Sequence, residues 1–214
     1  MSSASKTSSP RHRRKEARPG ELLAAALDLF VEKGFAATRL EDVAARAGVS
    51  KGTLYLYFDS KVSLLKAVVE NGMVPVLDRG EDIIANFNGS TADLLCQILL
   101  LWWSRVGESK LSGLCKLMVA EASNFPEIAT HFYNTVIVRG EALVRRALEI
   151  GIARGEFRPV DVEVATYSIF APALELNLWR HSFADSCGQR GDPEPYLRTH
   201  LDIVLNGLLA KAPA

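Results

Sequence analysis

The chain has 214 residues, 25 Lys/Arg balanced by 25 Asp/Glu, and an apolar share of 48%. That is enough for one large domain or a small domain joined to a larger one, and it excludes an intrinsically disordered chain. Its longest apolar run, LLCQILLLWW at 94–103, falls short of the ~20 residues a bilayer span needs, and the N-terminal MSSASKTSSPRHRRKEARPG has no apolar segment after its charges, so neither a membrane partner nor a secretory signal is expected.

The charge balance is uneven along the chain. Residues 1–66 hold 12 Lys/Arg against 7 Asp/Glu, and residues 67–214 hold 13 against 18. A basic head on an acidic body suits a polyanion-binding module joined to another domain. The three cysteines, Cys96, Cys115 and Cys187, are widely spaced and outside any C-x-x-C pattern. They suggest a reducing cytoplasm and argue against a disulfide framework.

Residues 1–18, rich in Ser, Lys and Arg and without apolar periodicity, read as a disordered basic arm. After Pro19-Gly20, Leu22, Ala26, Leu29 and Phe30 mark one face of a helix that Gly34 ends. Thr38-Arg39-Leu40-Glu41 reads as a capping box, with Thr38 capping a short helix and Glu41 reaching back. That helix buries Leu40, Val43, Ala44 and Ala47 and stops at Gly48; Ser50 caps the next one. A fourth helix starts near Ser60-Lys61 and is either bent or ended by Gly72 and Pro75. Later helices are expected at about 91–106, 109–123, 127–153, 161–183 and 193–210, with GIARGEF (151–157) as a strong break. The fold class is therefore all-α, with about nine helices and no strand-like alternation.

Two short helices joined by a glycine turn and braced by a preceding helix form a helix-turn-helix. In GVSKGTLYLYF (48–58), Leu54 and Phe58 hold the second helix to the core and Val49 packs at the turn. Ser50, Lys51, Gly52, Thr53, Tyr55, Leu56 and Tyr57 are left facing outward, towards a DNA major groove. Gly52 lets the backbone approach the duplex at a cost of roughly 1 kcal/mol in helix stability.

TRLEDVAARAGVSKGTLYLYFDSKVSLL (38–65) resembles the DNA-binding signature of TetR-type transcriptional regulators. The shared features are the capping threonine, V-A-x-x-A-G-V-S, x-G-x-[LI]-Y-x-[HY]-F and the following lysine. The resemblance implies an arm at 1–18, a DNA-binding domain at 19–66 and an effector-binding, dimerising domain at 67–214. It also implies double-stranded operator DNA, a small-molecule effector and a second copy of the chain as partners. Thr38, Ser50, Thr53 and Tyr57 would meet phosphates, as would Lys61; Lys51, Thr53, Tyr55 and Leu56 are candidates for base edges. The basic run at 11–15 would follow the minor groove or remain a solvated tail.

In relatives the last two helices form the dimer and the middle ones hold the pocket. Here 161–183 is apolar on more than one face, and 193–210 carries a stripe of Leu197, Leu201, Val204, Leu205 and Leu208; both suit a four-helix interface or ordinary intrachain packing. Phe87, Trp102, Trp103, Met118, Phe132, Tyr133, Asn177 and Trp179 are candidate pocket residues. Adjacent Trp102 and Trp103 cannot both point into one cavity. The mixture suggests an apolar or aromatic effector. His12, His131, His181 and His200 are scattered, and no catalytic, metal or nucleotide motif is present, so no enzyme activity, metal or cofactor is expected. A redox regulator acting through Cys96 or Cys115 is the alternative.

Overall fold

The computed structural model describes residues 10–210, and the side chains of residues 19–210. Among these the α-helices are α1 (Pro10–Ala37), α2 (Leu40–Arg46), α3 (Lys51–Tyr55), α4 (Lys61–Asn86), α5 (Thr91–Trp102), α6 (Ser112–Glu121), α7 (Pro126–Phe132), α8 (Val138–Ala153), α9 (Val162–Ser182), α10 (Ala184–Cys187) and α11 (Pro193–Leu208). A π-helical turn, Trp103–Gly107, extends α5, and a second, Tyr133–Ile137, joins α7 to α8. The fold is all-α; an isolated bridge between Phe157 and Leu209 is its one extended pairing among the described residues. The surplus over the nine helices expected comes from the single turn of α10 and from the division of the 127–153 helix at its π turn. The chain divides into two compact units, one through Val68 and one from Val69.

In the first unit the backbone of residues 10–18 is helical and belongs to α1. Residues 1–9 lie outside the described residues. α1 is broken at Gly34, where φ is 82°, so this glycine ends the regular helix as its position suggested. Leu22, Ala26, Leu29 and Phe30 are buried, and Phe35 folds back with its ring centroid 5.7 Å from that of Phe30. Val43 and Ala44 of α2, Leu54 of α3, and Leu64, Leu65 and Val68 of α4 complete the core. Each large side chain buried here contributes roughly 1.5–3 kcal/mol.

α4 runs unbroken past Gly72 and Pro75, so neither residue ends it. Pro75 withholds one N–H from the Asn71 carbonyl, but both residues are exposed and water can satisfy that oxygen. Gly72 has a packing reason: a Cβ there would lie 2.4 Å from Leu111 Cδ2.

In the second unit, Leu94, Leu95 and Ile98 of α5 pack against Leu143, Val144, Ala147 and Leu148 of α8, with Ile169 and Leu208 closing the cluster. A neighbouring cluster joins Leu99 and Trp103 to Ala173 and Leu176 of α9 and to Leu197 and Leu201 of α11. α4 meets α8 through Arg139, which donates to Asp78 and Glu81 at 2.7 Å each. The break at 151–157 is a reversal in which Phe157 turns back over Gly151 and is buried.

Candidate functional site

The first unit presents α3 through a tight turn. Gly48 adopts φ 67°, a left-handed conformation that favours glycine, and the Val49 N–H donates to Ala44 O at 2.9 Å. Ser50 then caps α3: its hydroxyl accepts from Thr53 N–H at 3.1 Å and shares a 2.8 Å hydrogen bond with the Thr53 hydroxyl. Leu54 is fully buried and anchors the helix, while Lys51, Gly52, Tyr55, Leu56 and Tyr57 are exposed. Leu56 is 83% exposed, which no packing in the unit explains. The Lys51 ammonium pairs with Glu41 and lies 5.7 Å above the Tyr55 ring. Their bond raises the Lys51 pKa and lowers that of Glu41, so both remain charged at neutral pH.

Two residues expected at phosphates make internal hydrogen bonds in this structure. Thr38 is buried, and its hydroxyl donates to Leu29 O at 3.1 Å and Gly34 O at 2.7 Å. α2 is preceded by Arg39 with no side-chain cap, so there is no capping box; Glu41 pairs with Lys51 instead. The Lys61 ammonium donates to Phe35 O at 2.7 Å and Ala36 O at 3.0 Å and sits 4.5 Å from the centre of the Phe35 ring. It satisfies carbonyls at the end of α1, where a cation is favoured.

The second unit encloses a cavity of about 560 Å³ walled by α4, α5, α6, α7, α8, α9 and both π turns. Of the expected pocket residues, Trp102, Met118, Phe132 and Tyr133 line it. The other four do not. Phe87 packs on the α5–α8 core. Trp103, its neighbour turned inward to the cavity, is buried against α9 and α11. Asn177 is fully buried and donates to Ser112 O at 3.0 Å. Trp179 donates to Gly188 O at 3.0 Å and stacks on Arg190 at 4.0 Å. Sequence reasoning missed Val136, Ile137, Glu141, Tyr167 and Phe170 on the wall. Their three- and four-residue spacing is also that of an ordinary core stripe, so periodicity alone could not mark them.

Residues 22–68 match the family model for bacterial regulatory proteins of the tetR family, and residues 102–185 match the C-terminal domain of AefR-like transcriptional repressors. This chain belongs to the TetR family. It is 27% identical over 201 residues to the transcriptional repressor KstR2 of Rhodococcus jostii, covering 91% of this chain and 92% of that one. Its fold is similar to FadR of Bacillus subtilis in complex with stearoyl-CoA (TM-score 0.75, 23% identity, 88% of this chain and 98% of that one). It is also similar to the SmeT–triclosan complex (TM-score 0.73, 22% identity, 92% and 93%). TetR-type regulators bind DNA through the helix-turn-helix, which here is the α2–turn–α3 unit.

In this TetR-family regulator Cys115 lies on the cavity wall, and burial pushes its thiol up to about 12. Burial, and then the charge of Asp93, also raises Cys96. Both shifts disfavour the thiolate that the redox alternative would use. Cys187 is exposed. A disulfide-exchange reagent such as DTNB is therefore expected to label one thiol per folded chain rapidly, with Cys187→Ser abolishing that phase and Cys115 reacting only on unfolding. A rapid phase that survives Cys187→Ser would restore the redox reading. Among the described residues no group of three His, Cys, Asp or Glu is placed to hold a metal, and no helix is long and apolar enough to cross a membrane.

Proposed function

We propose that the chain is a homodimeric repressor released from an inverted-repeat operator by a small apolar or aromatic effector. The observation that carries the DNA half is the sorting of α3. Leu54 is 0% exposed, yet Leu56, two residues on, is 83% exposed between two exposed tyrosines. In the proposed complex Ser50, Thr53 and Tyr57 meet phosphates, Gly52 admits the backbone closely, and Lys51, Thr53, Tyr55 and Leu56 address base edges. The residues at 19–66 form the DNA-binding domain and those at 67–214 the effector and dimer domain. Dimerisation is supported by α9 and α11, which leave Val164 and Ile203 exposed.

The effector half rests on the cavity, whose volume suits a small molecule and whose wall is almost wholly apolar. Met73, Val76 and Leu77 of α4 belong to that wall, and the same helix begins at Lys61 in the first unit. An effector that prefers one placement of α4 shifts the DNA-binding equilibrium; one with equal affinity for both shifts nothing.

Selection of a binding site from random-sequence DNA tests the reading. The expected product is an inverted repeat whose half-sites lie about 34–36 Å apart or a modest departure from it. Tyr55→Ala is expected to lose about 1–3 kcal/mol of discrimination between that site and random DNA, with non-specific binding unchanged. Equal losses on both DNAs would remove Tyr55 from base recognition. A monomeric mass with undiminished specific binding would defeat the dimer.

A further inference from the structure

The charges on the cavity wall narrow the effector further, on the reading that this cavity is the effector site. Among the described residues Glu141 is the one charged side chain lining it; no Lys, Arg or His does so. Glu141 projects from α8, is half-buried, and has no ion pair or hydrogen-bond partner among the described residues. Of the cations on that helix, Arg139 is engaged by Asp78 and Glu81 of α4, and Arg145, four residues on from Glu141, lines a separate cleft with Arg146 and Glu149. Polar competition from the rest of the wall is slight. The Thr166 hydroxyl donates to Val162 O at 2.7 Å, and the Tyr167 hydroxyl donates to Glu163 at 3.2 Å.

Two aromatic rings accompany the carboxylate. Tyr133 and Tyr167 are both on the wall and both about half-exposed, so their faces are open to an occupant. The Tyr167 phenol is raised above its usual range first by Glu163, through its hydrogen bond and its charge, with Glu141 and Tyr133 adding to the effect; all lie close to it. A carboxylate beside electron-rich ring faces attracts a cation by two routes, Coulombic and cation–π. Covering Glu141 with an apolar group alone would strip water from a charge and leave it unpaired. Covering it with an anion would add repulsion.

We propose that the effector is a cationic amphiphile: an apolar body in the cavity and an ammonium or similar cationic group seated against Glu141, Tyr133 and Tyr167. Fatty acids and other anionic amphiphiles of equal length are disfavoured.

Isothermal calorimetry on the full chain with octyltrimethylammonium, 1-octanol and octanoate, each below its micellar concentration, tests this with the chain length held constant. The ammonium is expected to bind about tenfold more tightly than octanol, and octanoate more weakly than octanol. Glu141→Gln should bring the ammonium to within about twofold of octanol while octanol binding stays unchanged. Glu149→Gln, elsewhere on α8, should preserve the wild-type order. Octanoate binding most tightly, octanol binding without the ammonium, or an ammonium preference that survives Glu141→Gln would overturn the charge assignment and leave the cavity reading standing. Failure of all three probes to bind the wild type would overturn the cavity reading and this inference with it.

Discussion

Leu54→Ala is expected to destabilise the first unit by about 2–5 kcal/mol and to abolish specific DNA binding. α3 spans Lys51–Tyr55, far below the ~12–15 residues at which an isolated helix becomes marginal, so tertiary contacts must hold it in place. The Ser50 cap fixes its start, and Leu54, with no exposed surface, fixes its face. A domain is stable by only about 5–15 kcal/mol, so this loss is a large fraction of the total. Leu56→Ala is the matched control: the same chemical change, but at a side chain 83% exposed, expected to alter stability by no more than about 0.5 kcal/mol while weakening operator binding. Urea unfolding and operator titration of both variants check the pair. Equal destabilisation by the two would mean that the inner and outer faces of α3 have been misassigned.

A loss of about 3–5 kcal/mol is likewise expected for Phe157→Ala in the second unit. Its ring is 2% exposed and lies in the space a side chain at Gly151 would take: a Cβ there would be 2.2 Å from Phe157 Cδ2. The reversal is locked by Phe157 N–H donating to Gly151 O at 3.0 Å and by Arg158 N–H donating to Leu208 O at 2.8 Å, which ties it to the end of α11. Gly151→Ala should therefore also destabilise, because a ring in a packed core cannot swing away as an exposed side chain can. The two substitutions share one space, so the double variant should be less destabilised than the sum of the singles. Denaturant midpoints for the four proteins measure the coupling; strict additivity would show that residues 151 and 157 do not compete for that space.

What was legible in the sequence was mostly local. The Ser50 cap and the stop at Gly48 depend on residues within a few positions of one another, and the structure has both. The buried stripe of α1 was legible for the same reason. The partners that Thr38 and Lys61 have here are set by tertiary structure and left no sign in the sequence. Thr38 reaches back nine residues to Leu29 O, and Lys61 reaches back 26 to Phe35 O. A hydroxyl or an ammonium in the sequence carries no mark of whether it will face a phosphate or a carbonyl. Neighbours on a helix diverge by about 100°, so one tryptophan of the adjacent pair turns away from the cavity. Which one turned away, Trp103, was decided by the core of α9 and α11. Asn177, expected at the pocket, has its amide on the Ser112 carbonyl, 65 residues away in the chain. The π turns left no signal in residue type.

Those turns bear on how the binding chemistry of this chain can change over generations. A π turn is an α-helix carrying one additional residue. At the first turn Glu108 N–H donates to Trp103 O at 2.9 Å, five residues back. The second supplies Tyr133, Val136 and Ile137 to the cavity and leads directly to Gly140, Glu141 and Val144. Deleting a single codon within 133–137 would let the rod revert to ordinary helix, and because the π turn absorbs the extra residue, the side chains beyond it would keep their direction relative to α7. Glu141 and Val144 would stay on the wall, and the change would fall on Tyr133, Val136 and Ile137 of the turn itself. The turn is thus a place where the wall can lose or gain a residue while the helices on either side stay where they are, so ligand preference here is exposed to single-residue insertion and deletion as well as to substitution.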